Sequence, residues 1–174
     1  MKQLSILIFM SLLIFSCKKN KNNLPDAWKG DQKYGWVKAK RKGADWEASG
    51  AWLYTPGDSR TFGLSLVTGD GLVAMESLVF VGIPTMPGTF SLLPITQSEL
   101  GKSPGCVYAI GYADQLRAFW EVDLKKENRI IVDEFDRESK IVKGHFRLHL
   151  NGKAPDYPSG VDFEHGIFEV RLME

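Results

Sequence analysis

The chain has 174 residues, with 22 basic side chains against 21 acidic ones. That balance lacks the basic excess of a nucleic-acid binder. Its two cysteines supply neither a disulfide framework nor a CxxC or Cys/His zinc pattern. Beyond the first fifteen residues no stretch approaches 18 apolar residues, so no later helical membrane span is expected.

The N-terminus opens with Met1 and Lys2, and Leu4 to Phe15 is apolar but for Ser5 and Ser11. Such a run fits the roughly 7–15 residues of a signal-peptide core. It falls short of the ~20 needed to span a bilayer. No A-x-A-like cleavage site follows. Instead Ile14-Phe15-Ser16-Cys17 resembles a bacterial lipobox. That resemblance implies a lipoprotein signal peptide over 1–16, cleavage before Cys17, acylation of its thiol, and several palmitate-like chains in all on that one cysteine. One chain alone would hold only marginally, at ~0.8 kcal/mol per buried CH₂. Residues 17–24 read as a flexible tether, polar and rich in Asn and Lys. Lys18 and Lys19 replace the aspartate associated with inner-membrane retention and the acidic cluster associated with surface export. The expected location is therefore the cell envelope, at the outer membrane facing the periplasm.

Cleavage would leave 158 of the 174 residues, enough for one domain over 25–174 with its own core. In chain order, "KAKRK" (Lys38 to Lys42) reads as a solvated edge or a membrane-facing patch. "ADWEASGAWLY" puts Trp46, Ala48, Gly50, Trp52 and Tyr54 on one face with period two. "TFGLSLV" aligns Phe62, Leu64 and Leu66, and "LVAMESLVFVGI" is a longer strand. "GTFSLL", "GCVYAIGYA", "AFWEVDL", "RIIVDEF", "KIVKGHFRLHL" and "GVDFEHGIFEVRL" follow. Turn signals such as "TPGDS", "TGDG", "PTMPG" and "DRES" separate them. The expected class is all-β: an antiparallel β-sandwich, jelly-roll-like, or a partly open barrel.

Two late strands declare their faces. Phe146, Leu148 and Leu150 alternate with His145, Arg147 and His149, which predicts one packed face and one wet face. In the last segment Val161 and Phe163 share a parity opposite to that of Phe168, Val170 and Leu172. The slip surrounds Gly166, and a β-bulge there would restore one apolar face, with a strand break as the alternative. "GTF", "GHF" and "GIF" each open an apolar alternation, which predicts a glycine bend with the aromatic covering the core.

Candidate chemistry is sparse. His145 and His149 lie some 13 Å apart along one strand face, too far to share a metal. His165 could join one of them across the sheet. Asp133, Glu134, Asp136 and Glu138 cluster without the ligand order of an EF-hand. "GLSLV" lacks the second glycine of a nucleophile elbow. Cys106, in an apolar alternating segment, reads as core. Trp46, Trp52 and Trp120 share parity with small or apolar residues, so they read as core rather than as a sugar-stacking platform. No catalytic, cofactor-binding or metal residue is singled out; Cys17 is the one site residue, for lipidation.

"LPDAWKGDQKYGWVKAKRKGADWEA" resembles the mature start of a set of Bacteroidota-type lipoproteins of unknown function, roughly L-P-P-A-T-x-x-G-x-N-T-F-G before a strand and a tryptophan. Leu24, Pro25, Ala27, Gly30, Gly35 and Trp46 match. Trp28 replaces the threonine, and "QKYG" stands for "NTFG". The turn at Asp136, "KIVKGHF" and the closing G-x-F strand extend the likeness. The resemblance implies a β-sandwich on a lipid anchor and brings no catalytic residues. The expected function is a membrane-anchored, non-catalytic domain contacting a glycan, peptide or protein partner, and no nucleic acid. The alternatives are an envelope hydrolase with unrecognised carboxylates and a structural subunit of an envelope complex.

Overall fold

A computed structural model describes residues 34–55, 58–69, 74–98, 103–112, 115–152 and 156–172. The expected signal peptide over 1–16, Cys17, the expected tether over 17–24 and the stretch 25–33 lie outside the described residues. The rest is all-β, as the alternation demands, and eight strands close into an antiparallel barrel.

The strands are β1 (Gly35–Arg41), β2 (Ala44–Thr55), β3 (Asp58–Gly69), β4 (Ala74–Pro84), β5 (Gly88–Ser91), β6 (Leu93–Pro94), β7 (Gly105–Tyr112), β8 (Gln115–Val122), β9 (Arg129–Asp136), β10 (Ile141–Gly152) and β11 (Gly160–Leu172). The ring runs β1-β2-β3-β4-β7-β8-β10-β11 and returns to β1, each neighbour antiparallel. Closure removes the exposed edges that an open sheet would carry. Below the start of β1, the end of β11 pairs directly and in parallel with Ala51 and Trp52 of β2. The free edge of β10 is shared: Ile141 to Arg147 pair with β9, and Leu150 to Gly152 with β8. β5 then pairs with β9 as a short outer strand.

Local chemistry explains the turns and bends. β1 and β2 join through Lys42 and Gly43, both at positive φ (51° and 80°), as a two-residue hairpin of primed type requires. Phe80 and Ile83 both point inward although three positions apart. Gly82, at φ 66°, absorbs the extra residue against Phe62 and Leu64 of β3. Bulges of this kind bend strands and tighten barrels.

The inward positions fill the ring. Val37, Trp46, Trp52, Phe62, Leu64, Leu66, Leu78 and Phe80 are buried from one side, and Tyr108, Trp120, Phe146, Leu148, Phe163, Phe168 and Val170 from the other. Aromatic rings touch in sequence through the interior. Trp46 meets Phe163 at 5.0 Å between centroids, Phe163 meets Tyr108 at 5.2 Å, and Tyr108 meets Trp120 at 5.2 Å. Phe135 of β9 reaches over one end of the barrel and packs on Trp52 and Phe62.

The bulge at Gly166 is real and the strand does not break. Phe146 and Leu148 of β10 oppose Gly166 and Phe163 of β11, so two residues of β11, Glu164 and His165, stand against Arg147 alone on β10. His165 takes the strained φ of 52°. The repeated glycine–aromatic motifs gain a different meaning from the expected bend. Gly144 pairs with Phe168, and Gly166 with Phe146. A Cβ on Gly166 would lie 2.5 Å from the Phe146 ring, and one on Gly144 would lie 2.7 Å from the Phe168 ring. Each aromatic therefore lies across the glycine on the opposite strand, the cross-strand rescue that a bare glycine needs.

Candidate functional site

The bulge that repairs the parity of β11 also shapes the outer surface. A groove of about 480 Å³ runs over it, floored by Ile131 of β9 and Ile167 of β11. Arg129, His145, Arg147 and His165 converge on this floor from three strands, with Glu164 as the carboxylate of the lining. His145 Nδ1 lies 2.9 Å from Asp133 Oδ2, which fixes its ring toward β9. Arg129 donates to Glu127 at 2.8 Å, while Arg147 stands 3.7 Å from Glu164. His165 is exposed, and its position on the bulge sets its ring at the groove. The groove can offer hydrogen-bond donors above an apolar strip, on strands that cannot drift. Proton transfer between two facing carboxyls would need a second acid in this lining.

The other sequence candidates separate. His149 does not join His145: its Nδ1 lies 2.7 Å from Asp162 on β11. Its side chain is only 15% exposed, so the wet position expected from alternation is corrected to a half-buried one. The Asp162 carboxylate covers the ring, and the Asn128 side-chain oxygen takes the His149 backbone N–H at 2.6 Å. Arg147, Arg171 and His145 are exposed as expected. Among the described residues no three His, Cys, Asp or Glu side chains come together as a metal site. Asp136 spends its oxygens on its own turn. It accepts from the Ser139 hydroxyl at 2.6 Å and from the Glu138 N–H at 2.8 Å, and these bonds lower its pKa. Cys106 is fully buried opposite Phe80, and burial pushes its thiol pKa well up, away from the nucleophilic thiolate.

Trp46, Trp52 and Trp120 are core, at 4%, 1% and 1% exposed. Each indole N–H is spent: Trp46 on Glu76 at 2.9 Å, Trp52 on the Lys140 carbonyl at 2.9 Å, Trp120 on the Pro158 carbonyl at 2.8 Å. Those three side chains form no sugar platform.

One polar cluster escaped the sequence reading. Arg41 ends β1 on the inward parity of Val37 and Ala39, and Glu76 shares inward parity with Leu78 and Phe80. The two meet at the barrel mouth as an ion pair, and Arg41 also donates to the Tyr108 hydroxyl at 2.7 Å. Burial and the Glu76 charge raise the Tyr108 pKa above its ordinary value. Burial works against the Arg41 charge, yet the Glu76 hydrogen bond and the charges of Glu76 and Tyr108 hold its pKa up. Within "KAKRK", then, Lys38 and Lys40 form outward pairs with Glu47 and Asp45, while Arg41 turns in. The available signal was parity: a charge in step with the apolar residues.

Comparison with protein-family models, curated proteins and solved structures finds no match.

Proposed function

We propose that this chain is a lipid-anchored protein of the cell envelope whose barrel binds a glycan or peptide partner in the groove at the β11 bulge. The anchor rests on the lipobox-like Ile14-Phe15-Ser16-Cys17 and on the resemblance to Bacteroidota-type lipoproteins. The observation that carries the binding role is His165, a non-glycine residue kept at φ 52° with its exposed side chain on a concave surface. A glycine would relieve that backbone strain, so the imidazole is retained at a cost. Neighbouring Arg147 and His145 add donors suited to glycan hydroxyls, carboxylates and peptide carbonyls.

His165→Gly is the sharpest test, because it suits the backbone and removes only the side chain. Together with Arg147→Ala it should abolish retention of the protein on cell-wall glycan–peptide fragments while leaving the melting temperature unchanged or raised. Retention equal to wild type rejects the groove as the binding surface. For the anchor, Cys17→Ser should release the protein from salt-washed membranes and Cys106→Ser should not. Protease shaving of intact cells should spare the protein if the barrel faces the periplasm.

A further inference from the structure

The outer surface of the barrel is divided. On β1, β2, β10 and β11 the outward positions carry Lys38, Lys40, Asp45, Glu47, Lys143, Arg147 and Glu164, paired across strands. On β3, β4, β7 and β8 they carry another chemistry. One row across the four strands reads Val67, Ser77, Ala109, Phe119. The row above reads Met75, Gly111, Leu116, and the row below reads Ser65, Val79, Val107, Glu121. Glu121 is the single charge of these rows, and it sits at a corner, accepting from Thr96 at 3.0 Å. Met75, Leu116 and Phe119 are 45%, 64% and 50% exposed. At the rim, Arg117 leaves the rows as the bulge residue of β8, its guanidinium 5.8 Å from the centre of the Tyr112 ring.

Four strands about 4.8 Å apart and about 20 Å long give a face of roughly 400 Å². That is about half of what each partner in a stable protein complex usually buries. A bilayer asks for no matching area, only for a face whose centre carries no charge to desolvate, and Glu121 stands at the corner of this one. An arginine on a tyrosine at the edge suits a water–lipid boundary, where apolar stems stay in and charged heads reach out. The chain outside the described residues supplies the second argument. Sixteen residues (18–33) separate Cys17 from Tyr34. They can span at most about 55 Å. β1 lies four places round the ring from β7, so the tether must pass half a girth of roughly 50 Å. It is long enough. A barrel so held sits at an effective concentration near millimolar against the lipid, where even a weak contact is populated.

We propose that the largely apolar wall formed by these rows of β3, β4, β7 and β8, with Glu121 at its corner reaching out to water, lies on the surface of the bilayer to which the chain is anchored, leaving the groove of β9 to β11 turned away from the lipid. The proposal rests on the anchor reading for its tether, and the test separates the two. The full chain is reconstituted in vesicles of phosphatidylethanolamine and phosphatidylglycerol carrying a nitroxide lipid. Phe119→Cys and Lys143→Cys forms bear a fluorophore on the introduced thiol. The label at position 119 should be quenched at least about threefold more than that at 143. Equal quenching in an attached protein overturns the wall and leaves the anchor standing. In parallel, residues 18–174, which contain every described strand, are sedimented with the same vesicles. Wild type should bind, and the Leu116→Glu, Phe119→Glu double variant should bind about tenfold more weakly. Loss of attachment with full binding of residues 18–174 removes the anchor and keeps the wall. A dimer in solution that the double variant breaks, without vesicle binding, makes the wall a contact between copies and overturns the proposal.

Discussion

The two walls of this barrel share one interior and differ outside. The β10–β11–β1–β2 side, with β9 on its edge, carries cross-strand pairs such as Lys143 with Glu134 at 3.0 Å and Lys38 with Glu47 at 3.3 Å. The β3–β4–β7–β8 side replaces them with Val, Ala, Gly, Ser, Met, Leu and Phe, and keeps one charge, Glu121, at a corner. Both present apolar residues to the core with the same period, so packing alone does not account for the difference. Half-exposed ion pairs contribute little to stability. A wall can therefore gain or lose them at small cost, and its outer chemistry is open to being set by what it faces.

That view can be broken most directly from the inside. Phe168 on the charged side and Phe80 on the largely apolar side are both buried, and both rings pack against Phe146. Phe168→Ala and Phe80→Ala should each cost about 3–5 kcal/mol by chemical denaturation. A small loss at one and a large loss at the other would mean two separately packed halves and not one shared core.

A smaller effect sharpens the role of the mouth, where strands of both walls meet through Arg41, Glu76 and Tyr108. Tyr108 has its pKa raised in the fold, chiefly by burial and then by the Glu76 charge. The unfolded chain thus loses that proton first, from about pH 10 upward. The contribution is fully present below that pH and is lost as pH rises through the folded pKa, with a slope of up to about 1.4 kcal/mol per pH unit. Tyr108→Phe should show a shallower loss of stability above pH 10 in denaturant titrations. An unchanged slope would show that the tyrosine does not feel the cluster.

The smallest expected effect lies on the charged surface itself. Arg147→Ala should change stability by no more than about 0.5 kcal/mol, since its 3.7 Å contact with Glu164 is exposed. A loss of several times that size would show the pair to be structural and would weaken the case for a free groove.

Much of this was legible in the strand parity. Val161, Phe163, Phe168 and Val170 predict an extra residue near Gly166, and the register shift stands there. The same bulge builds the candidate groove, so its location was in reach, although the convergence of Arg129 and His165 on it was not. Those two residues are 36 positions apart and meet only because β10 pairs with β9 on one edge and with β11 on the other. His149 misled for the same reason: alternation makes it outward, and only the neighbouring strand places Asp162 over it.

The sequence by itself determined which side of each strand is apolar, because side chains alternate along an extended backbone and water sorts them. It also determined where that order had to slip, since a wrong parity would expose Phe168 or bury Glu169. Tertiary structure alone decided that the strands close into a ring, since closure depends on β1 finding both β2 and β11. It alone decided that Arg41 meets Glu76 across the mouth. It also assembled the largely apolar wall, to which each strand gives only a few residues and whose continuity exists in no single segment. Alternation is a local property of the backbone, while pairing is fixed by contacts between residues far apart in the chain, and those set what each face presents.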